Sequence, residues 1–123
     1  MITMSSLAIE RIGANMTLTT ALALIWVHFV ADFIMQSDRV ALNKGRDSSI
    51  LLWHVSVYGL FLIPFGVVFA VINAALHFVT DFCTSRATSA LWKRGERHWF
   101  FVVIGLDQAI HMTCLFVTYE VLV

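Results

Sequence analysis

The sequence predicts an all-α fold, a four-helix transmembrane bundle with a short N-terminal interfacial segment, on three observations. The chain is 59% hydrophobic and only 13% charged, against about 25% charged in an ordinary soluble domain. Four apolar segments of roughly membrane-spanning length take up most of its 123 residues. Inside those segments, polar residues recur four apart, a spacing that puts them on one face of a helix. The length allows a single domain, divided into an interfacial segment at residues 1–16 and a transmembrane domain at residues 17–123. Net charge is zero, so no general attraction to nucleic acid follows, and no basic tail provides one.

The first element, residues 1–16, is mildly apolar and carries Glu10 and Arg11. It lacks the basic start, long apolar centre and small-residue cleavage site of a secretory signal, and reads as a short helix at the membrane surface. Met16, just before the first strong apolar run, is an alternative start. Helix one is expected from Thr17 to Gln36, with Thr17 to Thr20 able to cap its start and Ser37-Asp38-Arg39 marking the exit to water. The stretch from Asp38 to Ser49 is a polar loop holding Arg39, Lys44 and Arg46. Ser48 or Ser49 caps helix two, which continues through His54 and Tyr58 to about Ile63. Pro64 with Gly66 marks a turn; the alternative is that Pro64 kinks one long segment. Helix three then runs from Val67 to about Trp92, and helix four, after the break at Gly95, from Glu96 to Leu122.

Charge asymmetry orients these elements. Of eight Lys and Arg residues, seven lie in or beside the first and third connections: Arg39, Lys44, Arg46, Arg86, Lys93, Arg94 and Arg97. Only Arg11 falls on the other side. The positive-inside rule puts the two basic connections in the cytoplasm and both termini outside.

That orientation brings the polar stripes to one depth. Asn73, His77 and Asp81 form a stripe on helix three; His28, Asp32 and Gln36 form another on helix one; Asp107 and His111 form a third on helix four; His54 adds an imidazole from helix two. All lie toward the cytoplasmic side, so His28, Asp32, His54, His77, Asp81, Asp107 and His111 can meet in one layer. Imidazole and carboxylate together bind first-row divalent ions, zinc first among them. A bound ion lowers the pKa of a water to about 7. His28, His54, His77 and His111 are therefore expected as metal ligands. Asp32, Asp81 and Asp107 are expected as ligands or as catalytic bases. Polar groups can also serve only as hydrogen-bonded glue between helices, but ionisable groups at membrane depth are costly and mark function.

Other residues carry less. His98 reads as a surface residue at the membrane boundary, and Trp53, Trp92 and Trp99 as an aromatic belt. Cys83 and Cys114 read as small packing residues, and the basic run from Lys93 to Arg97 as a topology determinant able to touch anionic headgroups. Asn73 and Gln108 suit hydrogen bonds between helices or support of the polar site.

The strings from His28 to Gln36, from Asn73 to Asp81 and from Asp107 to His111, with His54 early in the second helix, resemble the motifs of a family of small bacterial and phage membrane proteins classed as a domain of unknown function. The resemblance covers roughly residues 20–120 and implies a multi-pass protein of the bacterial inner membrane, for which the charge asymmetry puts both termini on the periplasmic side. The motifs are also loosely similar to those of predicted membrane-bound metal-dependent hydrolases. The expected activity is metal-assisted hydrolysis or transfer on a lipid or a phosphorylated, membrane-associated substrate. The expected partners are membrane lipids and further copies of the same chain. The competing expectation is a small structural or proton- or ion-conducting subunit of a larger assembly, with the His/Asp stripes as glue or relay.

Overall fold

The computed structural model describes residues 15–123. The surface helix expected at residues 1–16 lies outside the described residues except for Asn15 and Met16. Among the described residues there are five α-helices and no strand. Three helical stretches are long and apolar enough to cross a membrane: Ser48–Phe65, Val67–Lys93 and Arg97–Leu122. The first apolar stretch, Leu18–Ile34, is shorter.

Helix α1 spans Leu18–Phe29 and begins where the Thr17 hydroxyl accepts from the backbone N–H of Thr20 at 3.1 Å. It does not continue regularly to Gln36. At Val30–Ile34 the chain widens into one π-helical turn, closed by the Met35 N–H donating to the Val30 carbonyl at 2.8 Å. The extra residue in that turn carries Asp32 inward and leaves Gln36 beyond the helix end. The expected polar loop after it contains a helix, α2 at Asp38–Asn43, capped by Ser37 and anchored by the buried Val40. Helix α3, Ser48–Leu62, is capped by the Asp47 carboxylate, which accepts from the Ser49 N–H at 2.8 Å, and not by either serine. An ionised oxygen satisfies the free N–H groups of a first turn better than a hydroxyl does.

A 3-10 turn at Ile63–Phe65 ends that span, and Gly66 takes φ +139°, a conformation closed to other residues. Pro64 therefore separates two helices instead of kinking one. Helix α4 runs over Val67–Lys93 and helix α5 over Arg97–Leu122, joined through Gly95. Helix α4 is the centre of the packing, lying most extensively against α5 and next against α3.

What is buried is unusual for a soluble helical protein. Among the described residues, ten buried apolar residues are accompanied by eight buried polar ones, while Trp26, Trp53, Val71, Val79 and Phe101 lie exposed. The apolar core, Leu24, Tyr58, Leu62, Phe69, Ala70 and Leu115 among it, fills the end nearest Pro64. The Glu120 carboxylate ties the start of α1 to that end, accepting from the Met16 N–H at 2.9 Å and the Asn15 N–H at 3.3 Å. The buried His and Asp residues occupy the layer beyond this core, toward the basic connections.

Candidate metal centre

Each of the four apolar helical stretches, the shorter Leu18–Ile34 included, delivers part of that layer. The turn at the end of α1 supplies Asp32, the second turn of α3 supplies His54, the middle of α4 supplies His77 and Asp81, and α5 supplies Asp107 and His111. All are buried, Asp107 least so.

Two groups emerge. In the first, Asp32, His54, His77 and Asp81 each turn one ligand atom to a common point. His54 Nε2 lies 2.9 Å from Asp32 Oδ1 and 3.5 Å from Asp81 Oδ2; His77 Nε2 lies 3.4 Å and 3.2 Å from the same two oxygens. A tetrahedral ion with ligands at about 2.0–2.2 Å has edges of roughly 3.3–3.6 Å between them. The two longer separations fall in that range and His77–Asp81 lies just below it, while His54 and Asp32 stand at hydrogen-bond distance. His77 adds a second sign: its buried Nε2 contacts those two oxygens without hydrogen-bond geometry, and its buried Nδ1 has no partner. A buried polar atom without a partner is costly, and a ring nitrogen facing two carboxylates beside a second imidazole suits a cation. This group can hold a metal ion.

The second group is Asp32, Asp107 and His111. His111 Nε2 sits 3.2 Å from Asp107 Oδ2 and 3.0 Å from Asp81 Oδ1. Asp81 thus faces the first group with one oxygen and His111 with the other. The imidazoles of His77 and His111 stack in parallel with centroids 3.8 Å apart, joining the two groups into one cluster.

His28 belongs to neither group. Its Nδ1 is 2.8 Å from the Tyr58 hydroxyl and its Nε2 is 2.7 Å from Gln108 Oε1. The Gln108 amide nitrogen donates to Asp107 Oδ2 at 3.0 Å and to Asp32 Oδ2 at 3.4 Å. Carboxylates only accept, so Gln108 Oε1 must be the acceptor toward His28. His28 Nε2 then carries the proton, and Nδ1 accepts from Tyr58. Both nitrogens are in use, and the ring acts as a strut that holds Gln108, which in turn holds the two carboxylates.

Sequence reasoning passed over three participants. Lys44, taken only as a loop charge, reaches in to place its ammonium 2.9 Å from Asp81 Oδ2. Thr84 donates to Asp107 Oδ1 at 2.6 Å. Tyr58 holds His28 and packs its ring 4.0 Å from that of His77. Two of these were open to inference: Tyr58 follows His54 by four residues and Thr84 follows Asp81 by three, so both share a ligand-bearing face. Lys44 carried no such signal, because its position depends on how the connection folds. Asn73 stays out of the cluster. Its amide donates to the Phe69 carbonyl at 2.9 Å and to the Thr118 hydroxyl at 2.8 Å, so it links α4 to α5. His98 is exposed, as is Cys83, and Cys114 is half-buried.

Beside the cluster lies a cavity of about 470 Å³. Asp32, Asp81 and Asp107 form one side of it, Lys44, Arg46 and Lys93 contribute cations, and Phe33, Leu42 and Trp92 are exposed at its edge. Gly45 favours this arrangement: a Cβ there would meet the Ser85 carbonyl oxygen at 3.0 Å. A side chain there would crowd the backbone of α4, against which the connection that carries Lys44 and Arg46 presses.

Neither the curated proteins nor the solved structures contain a match to this chain. One family model matches residues 20–123, which include every residue of the cluster. The chain therefore belongs to the family described as Protein of unknown function (DUF3307).

Proposed function

We propose that the protein is a membrane-embedded, divalent-metal-dependent hydrolase or transferase acting on a lipid or a phosphorylated membrane-associated substrate. Four spans, Leu18–Ile34 among them, form the bundle in the inner membrane. The basic connections face the cytoplasm and both termini face the periplasm, with membrane lipids and a second copy of the chain as partners. Support for the orientation comes from the seven cationic residues clustered at one end of the spans. At 17 residues, the first span is at the short end of the workable range, about 17–25 residues.

The observation that carries the reading is the first group, two imidazoles and two carboxylates whose ligand atoms lie within 4.8 Å of one another, with His77 left without a hydrogen bond of good geometry. Zinc is the ion that such a set suits best. When bound it would supply Lewis acidity and a water acidified to a pKa of about 7. The chain's own groups do the rest. Asp107 lies outside the first group, borders the cavity and is held by Thr84 and Gln108, so it is the base that takes the proton from an attacking water. Lys44, at the same cavity, stabilises negative charge developing on the substrate.

Metal analysis of protein purified without chelators is the test. The expected outcome is stoichiometric divalent metal in the native chain and its loss in His77→Ala. Metal-free native protein would leave the polar cluster as interhelical glue or a proton relay and would remove the enzyme reading.

A further inference from the structure

We infer that the substrate is a lipid ending in a phosphate monoester, and that Lys44, Arg46 and Lys93 are the residues that select it. The inference rests on the Asp/His cluster being the reacting centre. Charge is the first argument. The cavity is bordered by three carboxylates and three cations, Asp32, Asp81 and Asp107 against Lys44, Arg46 and Lys93. These cancel. A divalent ion adds two positive charges that nothing in the cavity offsets, and a phosphate monoester, close to a dianion at neutral pH, supplies the missing two. A phosphodiester brings only one.

Geometry is the second argument. Among the described residues, Arg46 and Lys93 make no ion pair with a carboxylate, yet both border a cavity whose floor is acidic. Their charges are available to an incoming anion. Lys44 bridges the two sets, since its ammonium already lies 2.9 Å from the Asp81 carboxylate. Gln36 borders the same cavity with a buried carbonyl oxygen that has no hydrogen-bond partner, an acceptor suited to a hydroxyl or a water. At the edge, Phe33, Leu42 and Trp92 present apolar surface to the outside, with Leu42 73% exposed. A charged head therefore goes in and an apolar tail stays out. The reaction balances without any further reagent. The oxygen of water bonds to phosphorus, the bond from phosphorus to the lipid oxygen breaks, and that oxygen takes up a proton passed from the water through Asp107. The products are inorganic phosphate and a lipid alcohol.

The test is binding and phosphate release with dioleoyl phosphatidic acid in neutral detergent micelles, using the full chain with its metal content measured in the same samples. Glycerol 3-phosphate, dioleoylglycerol and dioleoyl phosphatidylcholine serve as comparison probes. Phosphatidic acid is expected to bind best and to release phosphate. Arg46→Gln and Lys93→Gln are each expected to weaken its binding roughly tenfold, the scale of one lost charged hydrogen bond. Metal content and helicity should be unchanged in both. Arg86→Gln, which removes a cation stacked on Phe82 away from the cavity, should change nothing. Equal binding of dioleoylglycerol or of phosphatidylcholine would overturn the phosphate-monoester claim, and equal binding of glycerol 3-phosphate would overturn the lipid claim. Retained affinity in both cavity variants would overturn the assignment of the selecting residues. If the native protein holds no metal but still prefers phosphatidic acid in a manner dependent on Arg46, the metalloenzyme reading falls while the recognition stands. If metal is present without that preference, the reverse holds.

Discussion

The two halves of the helical bundle are built on opposite rules. Toward Pro64, Leu24, Leu62, Phe69, Ala70 and Leu115 pack as an apolar core with little directional bonding. Toward the basic connections, His28, Asp32, His54, His77, Asp81, Asp107 and His111 replace that core with charges and rings held at hydrogen-bond distance. The same α4 and α5 run through both, so helix propensity does not separate them. The difference is what each half tolerates. Apolar packing is forgiving of volume-conserving change, typically less than about 1.5 kcal/mol. A buried polar cluster must be satisfied group by group or it destabilises. The apolar half serves as the scaffold, and the polar half is where a bound ion and a substrate would act.

The sharpest way to break that contrast is Asp81→Asn. Asp81 touches His54, His77 and Lys44 with one oxygen and His111 with the other. Loss of a residue that merely orients a ligand costs 10–100-fold in metal affinity; loss of this one should exceed about 100-fold. Metal analysis reads the outcome, and a variant that keeps its metal would remove Asp81 from the ligand set.

Chelation of the native protein comes next. An ion present at roughly 100–1,000 times its dissociation constant stabilises the folded state by about 3–4 kcal/mol, so its removal should lower the thermal midpoint in detergent. Hydrogen exchange locates the effect. Amides around the π turn of α1 and in α2 should open, while those of α3 and α4 beside Pro64 should not. Uniform loosening would mean that the halves are not separate.

The apolar half answers to a different change. Leu62→Ala or Leu115→Ala, at fully buried positions, should cost about 2 kcal/mol, at the low end for a core leucine because lipid already solvates apolar groups. Metal stoichiometry should not move. Unfolding in denaturing detergent and metal analysis of the same samples check both parts.

How far the sequence disclosed each half follows from what sets it. Four-residue spacing on α4 and α5 fixes which side chains share a face, so the stripes His77–Asp81 and Asp107–His111 were legible. The helix bounds were too, since Gly66 and Gly95 mark them. His54 was legible only as a lone imidazole at the right depth. After α1 the π turn was invisible, because an inserted residue is a response to neighbouring helices and leaves no local pattern; the helical stretch ends at Ile34, before Gln36. His28 could not be told from a ligand, since its role depends on Tyr58 and Gln108 on two other helices. The connection was the least legible part. Ser37 and Val40 were cues to α2, but the placement of Lys44 and Arg46 depends on Gly45 meeting Ser85, a tertiary contact.

The smallest effect tests where the boundary lies. Asn73 begins the stripe that continues through His77 and Asp81, yet its amide turns to Phe69 and Thr118, on the apolar side. Thr118 in turn donates to the Cys114 carbonyl at 2.5 Å, so the pair closes a local bond set between α4 and α5. Interhelical hydrogen bonds in membranes average about 0.6 kcal/mol and reach about 1.7. Asn73→Ala and Thr118→Val should each cost an amount in that range. The double variant should cost little more than either single one, because the two side chains share one bond. Metal content should be unchanged in all three. If Asn73→Ala instead lowers metal content while Thr118→Val does not, the polar half extends one turn further along α4, and Asn73 acts on the cluster through His77, its neighbour on that face.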